Sequence, residues 1–213
     1  MTPVVVVFAR VPRLGVGKRR LARRIGDRAA LRFARGELAR LLAELRLLRG
    51  FERIVALTPD HHARFAMRGF GRIGPEDIGQ ERIGPKRIGP KRIGQGRGDL
   101  GARMGRVFRH YRRRPVIIIG SDIPGIARED LRRAAHALRG AQAVFGPAVD
   151  GGYWLIGLSG RRPADPFGGV RWSSEDTLAD TLRNFRHHRV AMLRTLADAD
   201  TAIPSPARFG TRA

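Results

Sequence analysis

The chain has 213 residues, 42% of them hydrophobic, which is enough for one domain with a sizeable core. It has no cysteine, which excludes a disulfide framework and a thiolate metal site and leaves oxygen or histidine as the only ligands for any metal. The formal net charge is +23, from 42 Lys and Arg against 19 Asp and Glu, and it favours anionic substrates such as nucleotide phosphates.

In chain order, "PVVVVFA" at 3–9 reads as a first buried strand. It is too short and too early for a signal peptide, and no apolar run approaches the roughly 20 residues of a membrane span, so a cytoplasmic protein is expected. A basic loop, "RVPRLGVGKRR", leads into a helix that Asp27 could cap, with Leu31, Ala34, Leu38, Leu41, Leu42, Leu45 and Leu48 at helical spacing and Gly50 at its end. "RIVALT" at 53–58 is a second strand. "DHHARFAMRG" is a short helix in which His61 and His62 are adjacent, so they share no face and read as solvated histidines rather than metal ligands.

A pentapeptide repeat follows at 72–96: "RIGPE", "DIGQE", "RIGPK", "RIGPK", "RIGQG". Gly and Pro in most units oppose both helix propagation and a continuous strand ladder, so the repeat is expected to form an expanded surface loop. "DLGARMGRVFRHYRR" then has a helix pattern with Leu100, Met104, Val107, Phe108 and Tyr111 on one side. "PVIIIG" at 115–120 is a strand, "REDLRRAAHALRG" a helix with His136 on its surface, and "AQAVFGPA" and "YWLIGL" are further strands. Ser173 with Asp176 three residues on has the pattern of a helix cap, and "RVAMLRTL" closes the sheet. Strands alternating with helices predict a single α/β domain over 1–213, a three-layer sandwich around a mostly parallel sheet.

Two familiar phosphate loops are excluded after the first strand. A Walker A loop ending at Gly17 and Lys18 needs Gly at 12 and Ser or Thr at 19, where Pro12 and Arg19 stand; a dinucleotide fingerprint through Gly15 and Gly17 needs Gly at 20, where Arg20 stands. What remains is Arg10, Arg13, Lys18, Arg19 and Arg20 around two glycines at a strand's carboxyl end, a plausible diphosphate clamp. Asp122 in "GSDIP" and Asp150 in "AVDGGYW" also follow apolar strands, so all three segments are expected at the sheet edge where α/β proteins bind ligands. Either acid alone could be a turn residue, since Asp before Ile-Pro and Asp-Gly-Gly are both turn sequences. Together they suggest a site for Mg²⁺ or Mn²⁺, hard ions that bridge carboxylate and phosphate oxygens.

The segments "ARVPRLGVGKRRLARRIG", "GSDIPGI", "FGPAVDGGYWLIGL", "RWSSEDTL" and "ADADT" resemble the DUF2064 family, glycosyltransferase-like proteins of the nucleotide-diphospho-sugar transferase superfamily that include members linked to arsenosugar biosynthesis. The resemblance implies a GT-A type fold. It also implies that Ala9, Arg10, Gly15, Lys18 and Arg20 cradle the nucleotide, that Asp122 binds the metal with Asp200 near it, and that Asp150, Gly151, Gly152, Trp172 and Ser173 face the sugar or acceptor. Arg10 replaces the family's usual Lys, Leu14 its second Pro and Arg19 its Thr. The implied partners are a nucleotide sugar or nucleoside triphosphate and a small-molecule acceptor, and no oligomeric state is read from the sequence.

The expected activity is metal-assisted sugar transfer with Asp150 as base ahead of Glu175 or Asp176. The alternative is nucleotidyl transfer, as in the phospholactate guanylyltransferases. An alternative of another class is a polyanion- or nucleic-acid-binding protein without catalysis. The even spread of the arginines and the lack of a basic run interleaved with aromatics weigh against it.

Overall fold

The computed structural model describes residues 1–63 and 90–197. The first three repeat units, most of the fourth, the end of the helix expected after His62, and Asp200 lie outside the described residues. Among the described residues no helix is long and apolar enough to cross a membrane.

Seven strands form one sheet: β1 (Val4–Arg10), β2 (Glu52–Thr58), β3 (Lys91–Gly94), β4 (Val116–Gly120), β5 (Ala143–Pro147), β6 (Tyr153–Leu158) and β7 (Val190–Met192). Their order is β3-β2-β1-β4-β6-β5-β7. All pairs are parallel except the two made by β6, which runs antiparallel to both β4 and β5. Since β6 reverses direction on both sides, β5 points the same way as β4.

The β-branched run of β1 alternates between two cores, as the period of two in a strand requires. Val5 and Val7 face α2 (Asp27–Leu47) and α4 (Arg128–Ala137) through Leu38, Leu41, Leu45 and Leu131. Val4 and Val6 face α3 (Leu100–His110) through Met104, Val107 and Phe108, with Phe167 and Phe185 in the same layer. Each of these fully buried side chains is worth about 1.5–3 kcal/mol, and covering both faces produces the expected three layers.

Four local expectations are corrected. Asp27 does not cap the long helix: Gly26, at φ 79°, separates α1 (Arg19–Ile25) from α2, and Asp27 is the first residue of α2. Leu100 opens α3 but is exposed: it is the first helical residue, next to the Asp99 cap that accepts the Ala102 N–H at 2.7 Å, and the buried side of the helix runs through Met104, Val107 and Phe108. The last repeat unit enters the sheet as β3, parallel to β2, with Ile93 packed on the core. Lys91–Gly94 contains no proline, and an edge strand needs a ladder on one side only. Finally, Ser173 is not a helix cap. It lies at φ 59°, and α5 (Thr177–Arg183) begins only after Ser174 has accepted the Asp176 N–H.

Candidate functional site

The strand order reverses between β1 and β4, whose carboxyl ends lie side by side. A crevice opens there because the two chains leave the sheet in different directions. On the β1 side, a turn closed by Val16 N–H to Arg13 O at 3.2 Å brings the chain back over the strand end. Gly15 and Gly17 take φ values of 70° and 74°, which glycine adopts without strain. The Arg10 side chain lies over Gly17, where a Cβ would stand 3.6 Å from its Cδ. Lys18 precedes α1 in the left-handed region at φ 47°, an uncommon conformation for a lysine.

Lys18 then crosses the crevice. Its Nζ donates to the Asp122 backbone oxygen at 2.9 Å and lies 3.7 Å from Asp122 Oδ2. Arg10, Gly17, Lys18, Phe33, Glu37 and Asp122 are among the residues lining a cavity of about 280 Å³ at this point, near the lower end of small-ligand pockets. Of the residues expected to hold phosphate, Arg10 and Lys18 line this cavity. Gly15 shapes the turn, and Ala9 is buried beneath it. Arg20 is exposed on the first turn of α1 and lines no part of the cavity.

The Asp122 loop is held from below. Arg194 donates to Gly125 O at 2.8 Å and to both oxygens of Asp130, while Arg40 donates to Ile126 O at 2.9 Å. Asp130 also accepts the Ala127 N–H at 2.9 Å. Desolvation pushes the Asp130 pKa up, but the Arg194 and Ala127 hydrogen bonds outweigh it and hold the carboxyl below its usual value. The Asp122 side chain itself is 63% exposed, and among the described residues no group of three or more His, Asp or Glu side chains forms a preformed metal cage.

Asp150 stands on the same edge, at the β5–β6 hairpin. One strand lies between β4 and β5, so the two acids leave the sheet about 10 Å apart. Asp150 Oδ1 accepts the Gly152 N–H at 3.0 Å, which makes Asp150 a turn residue as well as a site candidate. Gly151, at φ 83°, packs directly on the Glu175 backbone and accepts the Leu178 N–H at 3.0 Å. This contact docks the hairpin on the loop that carries Trp172 and Ser173. Trp172 covers Gly101 on the first turn of α3, where a Cβ would come within 2.6 Å of the indole. Arg171 pairs with Asp176 and Asp180 and fixes the loop's base, holding the buried Asp180 carboxyl well below the usual range through the Arg171 hydrogen bonds.

Two features escape a reading by motif. Gln95, buried at the end of β3, donates to Ala9 O at 3.3 Å and Ala56 O at 2.9 Å, and its side-chain oxygen accepts from Arg103 at 3.3 Å. It therefore ties the end of β1 to β2 just before the basic loop. The only signal was a glutamine after the Ile-Gly of the last repeat unit, and the repeat masked it. His62 bonds Arg13 and so belongs to the loop's surroundings rather than to open solvent. Burial first, then Arg13 and His61, lower its pKa below 6.5.

The sequence profile of a family described as "Uncharacterized protein conserved in bacteria (DUF2064)" matches residues 41–174. No curated protein matches the chain. Among solved structures, one from Desulfovibrio desulfuricans G20, provisionally named a nucleotide-diphospho-sugar transferase, is 27% identical over 94% of this chain and 83% of its own, with a TM-score of 0.73. CMP:2-keto-3-deoxy-manno-octonic acid synthetase complexed with CTP is 12% identical over 92% of this chain and 91% of its own, with a TM-score of 0.50. Rv0371c from Mycobacterium tuberculosis H37Rv is 21% identical over 94% and 93%, with a TM-score of 0.48. The fold is thus that of the nucleotide-diphospho-sugar transferases.

Proposed function

The chain belongs to the DUF2064 family, and we propose that it is a transferase moving a sugar from a nucleoside diphosphate to a small acceptor. The observation that carries this reading is the Lys18–Asp122 pair across the β1/β4 crevice. It sets an ammonium, the kind of group that pairs with phosphate oxygens, beside a carboxylate at the strand-end crevice where open α/β sheets bind ligands. Arg10 and Lys18 would hold the diphosphate, with the glycine turn letting the backbone approach it.

Asp122 offers a single accessible carboxylate. That donor set suits Mg²⁺ or Mn²⁺ arriving with the diphosphate, because such ions are commonly held by one or two carboxylates plus substrate phosphates. A bound ion would supply charge neutralisation. In the transfer itself an acceptor oxygen forms a bond to the anomeric carbon and the bond from that carbon to the diphosphate breaks, its electrons leaving with the nucleoside diphosphate. The acceptor's proton goes to a carboxylate, for which Asp150 is the candidate, being exposed on the same edge. Trp172 and Ser173, on the loop that the Gly151 hairpin docks against, are the candidates for the sugar or acceptor side.

Calorimetric titration with UDP and GDP sugars, with and without Mn²⁺, tests the reading on wild type and Asp122→Ala. Metal-dependent binding that disappears in the variant is the expected result. Pyrophosphate release from a nucleoside triphosphate would replace glycosyl transfer with nucleotidyl transfer, and no binding of any nucleotide would overturn both.

A further inference from the structure

The opposite edge of the sheet carries a second, larger cleft of about 1220 Å³. It is lined by residues that precede β1, β2, β4, β5 and β7, such as Pro3, Phe51, Pro115 and Gln142, and by Ser159 after the antiparallel β6. At about 3.3 Å per residue, the seven-residue β1 puts this cleft about 20 Å from the Lys18–Asp122 crevice. One small substrate cannot occupy both.

Seven arginines line the cleft against one glutamate, Glu129. Arg132 and Arg133 share that glutamate at 3.6 and 3.9 Å. Arg49, Arg113, Arg139, Arg161 and Arg189 are exposed, and among the described residues their guanidinium groups have no hydrogen-bond or ion-pair partner. Elsewhere many arginines are used internally: Arg40, Arg53, Arg106, Arg114, Arg162, Arg171 and Arg194 all bind carbonyls or carboxylates. Charge is therefore left uncompensated where five strand ends bring five free guanidinium groups together. Like charges gathered in one concavity repel, and a multivalent anion relieves that repulsion.

From this juxtaposition of five unpaired arginines in one cleft we infer a second binding site, for a chain of linked phosphates of the inorganic polyphosphate kind. Guanidinium forks match phosphate oxygens in pairs, and several forks in a row suit a ligand that repeats its charge. The cleft exceeds the 300–1000 Å³ of ordinary small-molecule pockets, as an extended ligand needs. Its lining has one aromatic besides His136, the half-buried Phe51, so there is no platform on which successive bases of a single strand could stack. Its concavity does not suit a flat lipid surface. The site does not depend on the transferase reading.

The test is binding of fluorescently labelled medium-chain inorganic polyphosphate, followed by anisotropy across a salt series. Five neutralised charges predict an affinity that falls about a hundredfold between 50 and 200 mM salt. Arg139→Gln with Arg161→Gln should weaken binding at least about tenfold without shifting the melting temperature, since both side chains are exposed and unpaired. Lys18→Met, and Arg32→Gln with Arg35→Gln on the exposed face of α2, should leave it unchanged. Equal loss in the α2 pair would make the effect diffuse charge, and loss in Lys18→Met would move the ligand to the crevice. Tighter binding of a labelled oligonucleotide or of anionic vesicles would change the partner. Any of these results overturns the assignment.

Discussion

Replacing Lys18 by Met separates a structural role of the crevice from a ligand-binding one. Two unit charges 3.7 Å apart attract by about 1 kcal/mol in water and about 4 kcal/mol at an effective surface dielectric of 20. Because the Asp122 side chain is 63% exposed, the lower figure applies, and the fold should lose about 1 kcal/mol or less. A lysine bonded to a diphosphate is worth more, about 1.5–3 kcal/mol for a hydrogen bond to a charged group. Affinity for a nucleoside diphosphate should therefore fall about 10- to 150-fold. Urea denaturation followed by tryptophan fluorescence measures the first quantity and calorimetric titration in saturating Mg²⁺ the second. Without nucleotide the variant should bind Mn²⁺ no more weakly than wild type, since the ammonium beside Asp122 repels the cation. An affinity within about twofold of wild type would refute the reasoning, as would a stability loss above about 2 kcal/mol with binding intact.

Asp150→Asn should reduce turnover by about 10²-fold or more while sparing nucleotide affinity, because the amide oxygen still accepts the Gly152 N–H and only the basic charge is removed. Unchanged steady-state turnover would remove Asp150 from the mechanism. Arg162→Met should cost about 2–4 kcal/mol in urea melts: the guanidinium donates to Phe108 O at 3.1 Å and Arg114 O at 2.8 Å, with weaker contacts to Tyr111 and Arg112 at 3.4 Å, and closes the end of α3. A loss under about 0.5 kcal/mol would contradict that role. The depressed Asp130 pKa makes its pairing with Arg194 a source of stability that is present above the ordinary aspartate value of 3.8 and lost as pH falls through the folded value. The stability gap between wild type and Arg194→Met should thus narrow on acidification below pH 4 in melts across pH, and a constant gap would show that the pair does not titrate.

The strands and their common edge were legible because burial on both faces leaves a clear mark: "VVVV" and "VIII" are apolar without alternation, as strands covered on both faces are. From that alone Asp122 and the basic loop could be set side by side, and the structure joins them through Lys18. What escaped had weaker local signals. "YWLIGL" announces a strand but not its direction, and β6 turns antiparallel because the short Asp150–Gly152 hairpin leaves no length for a crossover. β3 hid inside a repeat whose glycines and prolines argued against strand, since pairing with β2 overrides local propensity when four residues are free of proline. Ser173 fits a capping pattern, yet Arg171 binds Asp176 and Asp180 and delays the helix by three residues. Gln95 shows the same limit most sharply. A buried amide can satisfy its donors only against carbonyls from β1 and β2, strands roughly 40 to 90 residues away, so its place under the basic loop exists only once the sheet has assembled.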